Sequence, residues 1–254
     1  MLTIGHINFI NVIPVDVELI DSKYRAQKVL GVPSILNKEL LNGCVDVGFF
    51  SSVFYLRNRD SLEIPAPFGI VSKDKAMSVI LASRVSLEGL RGRKVNLYET
   101  PASETSIFMN QVILKEYFKI DYTITSRDEA EAELLIGDEA LTVNFSNSFP
   151  YIYDIGTYWK RLTGYPAVFA VLCTRKNLQP EKRRELDRYI EDLKRTLELT
   201  RSNSEIVVDI ASRKIRLPEA YLEEYFNSLY YELGEEEFAS LAKLEEFLKN
   251  ESRF

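Results

Sequence analysis

Small hydrogen-bonding residues fall where apolar runs stop: Asn8 and Asn11, Ser51 and Ser52, then Ser103, Thr105 and Ser106, then Gly137 and Asp138. Most sit where a helix is expected to begin. A helix start offers unpaired N–H groups and a partial positive charge, which suits a carboxylate or a phosphate. Several such starts in one cleft would suit a small anion carrying two carboxylates. Taken singly, each residue is as well explained as an ordinary helix cap. Only convergence of the four strand ends separates the two readings.

Other chemistries find few residues. His6 is the only histidine, and it sits inside the first strand pattern, where a packed, hydrogen-bonded ring is the simpler reading. A Ser-His-Asp triad would have to rest on it. Cys44 and Cys173 are too far apart in sequence for a spaced zinc motif and too few for a disulfide framework. No Gly-rich dinucleotide fingerprint and no phosphate-binding loop are present. Asp138 and Glu139 could act as an acid and base pair, but neighbours on a helix point apart.

The elements that must position these residues follow from periodicity. Strands are expected at residues 2–7, 27–32, 45–50, 77–82, 94–97, 134–136 and 167–173. Helices are expected from Pro14, from Pro33 and after Ser51 and Ser52, which can cap it. Further helices are expected over 103–118 and after Gly137 and Asp138, an N-cap pair. From Pro180 onward four helical patterns succeed one another. Strands alternating with helices predict an α/β fold with mostly parallel sheets. Two such sets predict two lobes with the ligand cleft between them, beyond the carboxyl ends of the strands. The expected crossings lie near residues 82–86 and 171–175, so residues 1–84 plus 174–254 form lobe I and 85–173 form lobe II. The helical C-terminus would pack on lobe I.

Composition bounds the partners. The 254 residues are 46% hydrophobic and 28% charged, as in a globular protein, with a net charge of −6. That balance speaks against nucleic acid and gives no attraction to anionic lipid. No signal peptide or membrane-length apolar run is visible, which makes cytoplasmic the default location.

Several segments together resemble the chorismate dehydratases of the futalosine route to menaquinone. Gly5-His6-Ile7-Asn8-Phe9-Ile10-Asn11-Val12-Ile13-Pro14 is similar to their opening motif. Val32-Pro33-Ser34, Val45-Asp46-Val47, Met77-Ser78-Val79 and Leu135-Ile136-Gly137-Asp138-Glu139-Ala140-Leu141 follow in order. So do Tyr153-Asp154-Ile155-Gly156, Trp159-Lys160 and Leu233-Gly234-Glu235-Glu236. Lys73-Asp74-Lys75-Ala76, before Ser78, departs from the usual Asp-Gly-Pro. The resemblance implies a two-lobed fold like the type-2 periplasmic solute-binding proteins. It implies a hydro-lyase that converts chorismate to 3-[(1-carboxyvinyl)oxy]benzoate without metal or organic cofactor. By the same resemblance Asn11 and Ser78 are the catalytic candidates. Ser51, Ser52, Thr105, Ser106 and Gly137 are the candidate carboxylate binders. Two alternatives stand beside it. One is the sister enzyme making 1,4-dihydroxy-6-naphthoate, which is associated with a cleft histidine. The other is a non-enzymatic small-anion binding protein.

Overall fold

The computed structural model describes residues 1–19, 26–90 and 92–251. The strands in chain order are β1 (Thr3–Ile7), β2 (Gln27–Gly31), β3 (Val47–Ser51), β4 (Leu62–Glu63), β5 (Phe68–Ser72), β6 (Val79–Ser83), β7 (Lys94–Glu99), β8 (Asp121–Ile124), β9 (Ala132–Ile136), β10 (Tyr151–Asp154), β11 (Ala167–Arg175) and β12 (Leu229–Glu232). The α-helices are α1 (Pro33–Leu41), α2 (Ser52–Arg57), α3 (Glu104–Val112), α4 (Gly137–Ser146), α5 (Ile155–Thr163), α6 (Pro180–Ser202), α7 (Ser204–Lys214), α8 (Glu219–Ser228) and α9 (Glu235–Leu248). Pro14 does not open an α-helix; it lies inside a 3₁₀ turn, Ile10–Val15, which keeps the chain after β1 close to the strand end. The 103–118 pattern forms α3 and then continues as a π-helical turn, Ile113–Phe118.

Two sheets form. The first runs β12-β5-β11-β3-β1-β2, with β4 added on β11; the second runs β10-β6-β9-β7-β8. The central strands are apolar runs buried on both faces, as β3, β6 and β9 show. Only part of each sheet is parallel. In the first, β1 pairs in parallel with β2 and β3, whereas β11 is antiparallel to β3 and β5. In the second, β7 is parallel to β8 and β9, and β6 is antiparallel to β9 and β10. The mostly parallel expectation fails because β6 and β11 enter their sheets from the other lobe and run against the local direction, and because β12, which follows α8 directly, pairs antiparallel with β5.

The crossings also differ from expectation. β6 pairs in the second sheet and the whole of β11 in the first. The chain therefore crosses between Ser72 and Val79, and returns after α5, near Gly164–Pro166. Both crossings fall before the apolar runs at which they were expected, because those runs are the strands of the receiving lobe. Apolar residues of α6, α7 and α8 join the core of the first sheet, including Leu193, Val207 and Tyr225. Helix α9 is shared: Leu241 faces that core, while Leu244 packs with Trp159 in the second.

Candidate functional site

A cavity lies where the two sheets face each other. The first lobe supplies Ile7, Phe9, Asn11, Pro33, Ser51, Ile70, Phe169 and Ala170 to its wall. The second supplies Ser78, Val79, Ser103, Ser106, Ile136 and Gly137. The cavity between these faces is small, about 40 Å³. No side chain on this wall carries a charge. Among the described residues no three His, Cys, Asp or Glu side chains gather as metal ligands.

Four helices start at this wall: α1 at Pro33, α2 after Ser51, α3 after Ser103 and α4 at Gly137. Of the polar strand ends read from sequence, Asn11, Ser51, Ser103 with Ser106, and Gly137 line this cavity, and Pro33 adds a further helix start. Each start directs the positive end of a helix dipole toward one space, which favours an anion, while its first N–H groups bond within the protein: Ser34 to the Ala102 carbonyl, Val53 to Thr105, Ser106 to Ser103 and Gly137 to the Ser78 carbonyl. Polar atoms point the same way. The Asn11 Oδ1 and the Ser51 Oγ are buried and have no hydrogen-bond partner among the described residues. A buried polar atom left unpaired costs roughly 1–3 kcal/mol, so two on one wall mark a place where a polar ligand completes the bonding.

The local frame explains how each residue is presented. Asn11 sits in the 3₁₀ turn after β1, and its backbone carbonyl accepts a 2.7 Å bond from the Tyr231 hydroxyl. Ser51 ends β3 and stands at the N-cap of α2, but its hydroxyl makes no capping bond and faces the cavity instead. Ser103 does cap: its oxygen accepts from the Ser106 N–H at 3.3 Å and from the Ser106 hydroxyl at 3.0 Å. Gly137 opens α4, one position earlier than the Gly-Asp cap reading, with φ of +64°. A Cβ there would lie 2.5 Å from the Phe9 ring, so only glycine lets Phe9 lie across the helix start.

Ser78 stands at the end of the crossing segment, just before β6. Its hydroxyl is 3.1 Å from that of Tyr225, a residue buried on α8. The preceding Met77 has φ of +59°, a strained value for a residue with a side chain. Asp154 holds that conformation: its carboxylate accepts from the N–H groups of Ala76 (3.0 Å), Met77 (2.7 Å) and Thr157 (2.9 Å). The Asn144 amide adds a bond to the Met77 carbonyl at 3.0 Å.

Asn11, Ser51, Ser78, Ser106 and Gly137 thus share one wall. Ser52 and Thr105 do not join it. The Ser52 hydroxyl donates to the Val168 carbonyl at 2.7 Å, and the Thr105 hydroxyl accepts from the Val53 N–H at 3.1 Å. Both tie helix starts to the scaffold. Asp138 and Glu139 point apart as their spacing requires. Asp138 accepts from the Ile10 N–H at 3.1 Å, and Glu139 pairs with Arg127. Burial raises the Asp138 carboxyl above its ordinary value. His6 is not on the wall; its Nε2 lies 3.9 Å from Asp16, and burial lowers its pKa. The residues that sequence reasoning missed are Phe9 as a wall, Asp154 as a clamp, and Tyr225 and Tyr231 behind the wall. The tyrosines carry no sequence signal, because a helical or strand tyrosine facing a core has the same pattern.

Comparison with known proteins agrees with this architecture. The chain is 30% identical to the chorismate dehydratase of Thermus thermophilus, over 59% of this chain and 62% of that one. It is 27% identical to the chorismate dehydratase of Campylobacter jejuni, over 65% and 64%. The matches therefore span less than two-thirds of the length of these curated relatives. In structure it is similar to a protein of Archaeoglobus fulgidus (TM-score 0.74, 16% identity, covering 100% of this chain and 98% of that one). It is also similar to the periplasmic aliphatic sulphonate-binding protein SsuA of Escherichia coli (TM-score 0.64, 15% identity, 99% and 92%). Identities this low speak to the fold alone, which is that of the type-2 periplasmic binding proteins. A family model described as menaquinone biosynthesis matches residues 2–250, and the chain belongs to that menaquinone-biosynthesis family.

Proposed function

We propose that this protein is a hydro-lyase that removes water from chorismate to give 3-[(1-carboxyvinyl)oxy]benzoate, with Asn11 and Ser78 acting on the substrate. The observation that carries this reading is the cavity itself: four helix starts and unpaired Asn and Ser oxygens meet apolar faces. A dicarboxylate with a planar apolar ring has the matching chemistry. The kinship with two chorismate dehydratases supports the same substrate.

The wall holds no side chain that titrates near neutrality, so the protein has no evident base of its own there. The reaction can proceed without one. Chorismate loses the hydrogen at C3 and the hydroxyl at C4, which lie on one face of the ring. In this mechanism the substrate's own side-chain carboxylate takes the C3 proton. The electron pair of that C–H bond becomes part of the aromatic ring as the C4–O bond breaks. The carboxyl group then hands that proton to the departing hydroxyl, which leaves as water and restores the carboxylate. Aromatisation drives the step, and the protein orients the groups and stabilises moving charge. Asn11 orients the leaving hydroxyl, and Ser78 donates to a carboxylate. Ser51 and Ser106 hold the carboxylates by hydrogen bonds and the α4 start at Gly137 by its helix dipole, rather than by a cation; the Gly137 N–H itself donates to the Ser78 carbonyl at 2.8 Å.

The test is purified protein with chorismate, without added metal or cofactor, followed by ultraviolet absorbance and mass spectrometry. Loss of one water with an aromatic product is the expected result. Binding without conversion would assign the cavity to ligand retention, as in the solute-binding proteins of the same fold. The absence of His6 from the wall weighs against the sister naphthoate enzyme.

A further inference from the structure

The geometry points to Tyr225 as a positioning residue that fixes the Ser78 hydroxyl as a hydrogen-bond donor into the cavity. This inference rests on the proposed dehydratase reading and deepens it.

Ser78 faces the cavity on one side and Tyr225 on the other. The two hydroxyls lie 3.1 Å apart in a fully buried contact. One of them must donate. A phenol is a far stronger acid than an aliphatic alcohol, and so the better donor. Burial pushes the Tyr225 phenol far above its ordinary value, so it keeps its proton. Asp138 and Tyr221 act on it electrostatically, but Ser78 is its hydrogen-bond partner. Tyr225 therefore fills an acceptor position of Ser78 Oγ and leaves the serine proton to point the other way. The other way is the cavity. A serine hydroxyl is otherwise a free rotor, and fixing it in advance is what a preorganised donor requires.

A second tyrosine places the device in context. Tyr231, buried on β12, holds the Asn11 carbonyl at 2.7 Å. The two phenols lie six positions apart in sequence, so one short stretch of the C-terminal region backs both candidate catalytic residues. The two bonds differ in kind. The Tyr231 hydroxyl bonds a backbone carbonyl, whereas that of Tyr225 bonds a side-chain hydroxyl.

The test is a double-mutant cycle on chorismate turnover. Tyr225→Phe keeps the ring and removes the proton donor. It is expected to lower kcat/KM about tenfold when Ser78 is present, and less than about twofold in a Ser78→Ala background. Tyr231→Phe is the control: its loss is expected to be the same with and without Ser78. A role for Tyr225 that is only structural would give equal losses in both backgrounds, and that result overturns the inference. If Tyr225→Phe does not fold, 3-fluorotyrosine at position 225 keeps the shape and changes only phenol acidity. It is then expected to alter kcat/KM with Ser78 and not without it; no difference between backgrounds again overturns the inference. Failure of the wild-type protein to convert chorismate would bring down the dehydratase reading and this role together. A wild-type enzyme that turns over, with additive Tyr225 and Ser78 effects, would bring down only the role.

Discussion

Asn11 and Ser51 each bring to the cavity wall a buried oxygen with no hydrogen-bond partner among the described residues. Their roles should separate in kinetics. Asn11→Ala is expected to lower kcat by roughly 100-fold or more, the usual effect of losing a preorganised polar group used in the transition state. Ser51→Ala is expected to raise KM by about 3–10-fold with a smaller change in kcat, because a carboxylate anchor binds ground state and transition state alike. Steady-state assays with chorismate distinguish them. Glu99, at the end of β7, gives a second residue-scale test. Burial raises its carboxyl to about 7, while Gln111 bonds it at 3.1 Å and 3.3 Å. A carboxyl with a raised folded pKa favours the folded state while protonated. That contribution is complete below the unfolded pKa and is lost as pH rises through about 7. Glu99→Gln should therefore flatten the pH dependence of unfolding between about pH 4.5 and 7.5. It should make the protein more stable than wild type at pH 8 by on the order of 2 kcal/mol, read from denaturant titrations.

At the scale of elements, the crossing segment between β5 and β6 decides where Ser78 stands. Asp154 occupies two posts at once. It caps α5 through Thr157 and gathers the Ala76 and Met77 N–H groups, holding Met77 at its positive φ. Lys160 reaches Asp74 on the same segment. Asp154→Ala removes three acceptor contacts, and the expected loss of stability is about 2–4 kcal/mol. Turnover per folded molecule should also fall, since Ser78 is no longer fixed; denaturant curves and kcat on the same preparations check both. The starts of β1, β2, α1 and α6 were legible in the sequence to within a residue or so, because apolar period and proline position are local signals. The clamp was not legible. Tyr153-Asp154-Ile155-Gly156 stood out only as part of the family resemblance, and the partners of Asp154 lie 77 and 78 residues away.

On the scale of the whole molecule, the lobes touch on more than one side of the cavity. Asn37 donates to Glu104 at 3.0 Å, Arg57 reaches the same carboxylate at 3.2 Å, and the Ser34 N–H donates to the Ala102 carbonyl at 3.1 Å. Across the wall the Ile10 N–H donates to Asp138, and Phe9 covers Gly137. A substrate held between such faces enters when they part, and a closed site keeps water from an elimination. Glu104→Ala removes both side-chain contacts and should favour the open form. The expected signs are a larger radius of gyration without ligand by small-angle scattering and a KM raised about 3–10-fold. A curve identical to wild type would show that Glu104 does not hold the lobes together.

The sequence by itself determined the alternation of strands and helices, the division into two α/β sets, and the small polar residues waiting at strand ends. These follow from periodicity and capping, which act over a few residues. The tertiary structure decided which of those residues meet. Ser51 and Ser106 line the cavity, whereas Ser52 and Thr105 turn to the scaffold, although Ser51 and Ser52, like Thr105 and Ser106, are adjacent in sequence. It also decided that β6 and β11 belong to the lobe they enter, and that two tyrosines of the C-terminal region stand behind Asn11 and Ser78. The physical reason is common to all three. Which way a hydroxyl turns, which sheet a strand joins and which phenol reaches a site depend on partners far along the chain, and no local pattern encodes them.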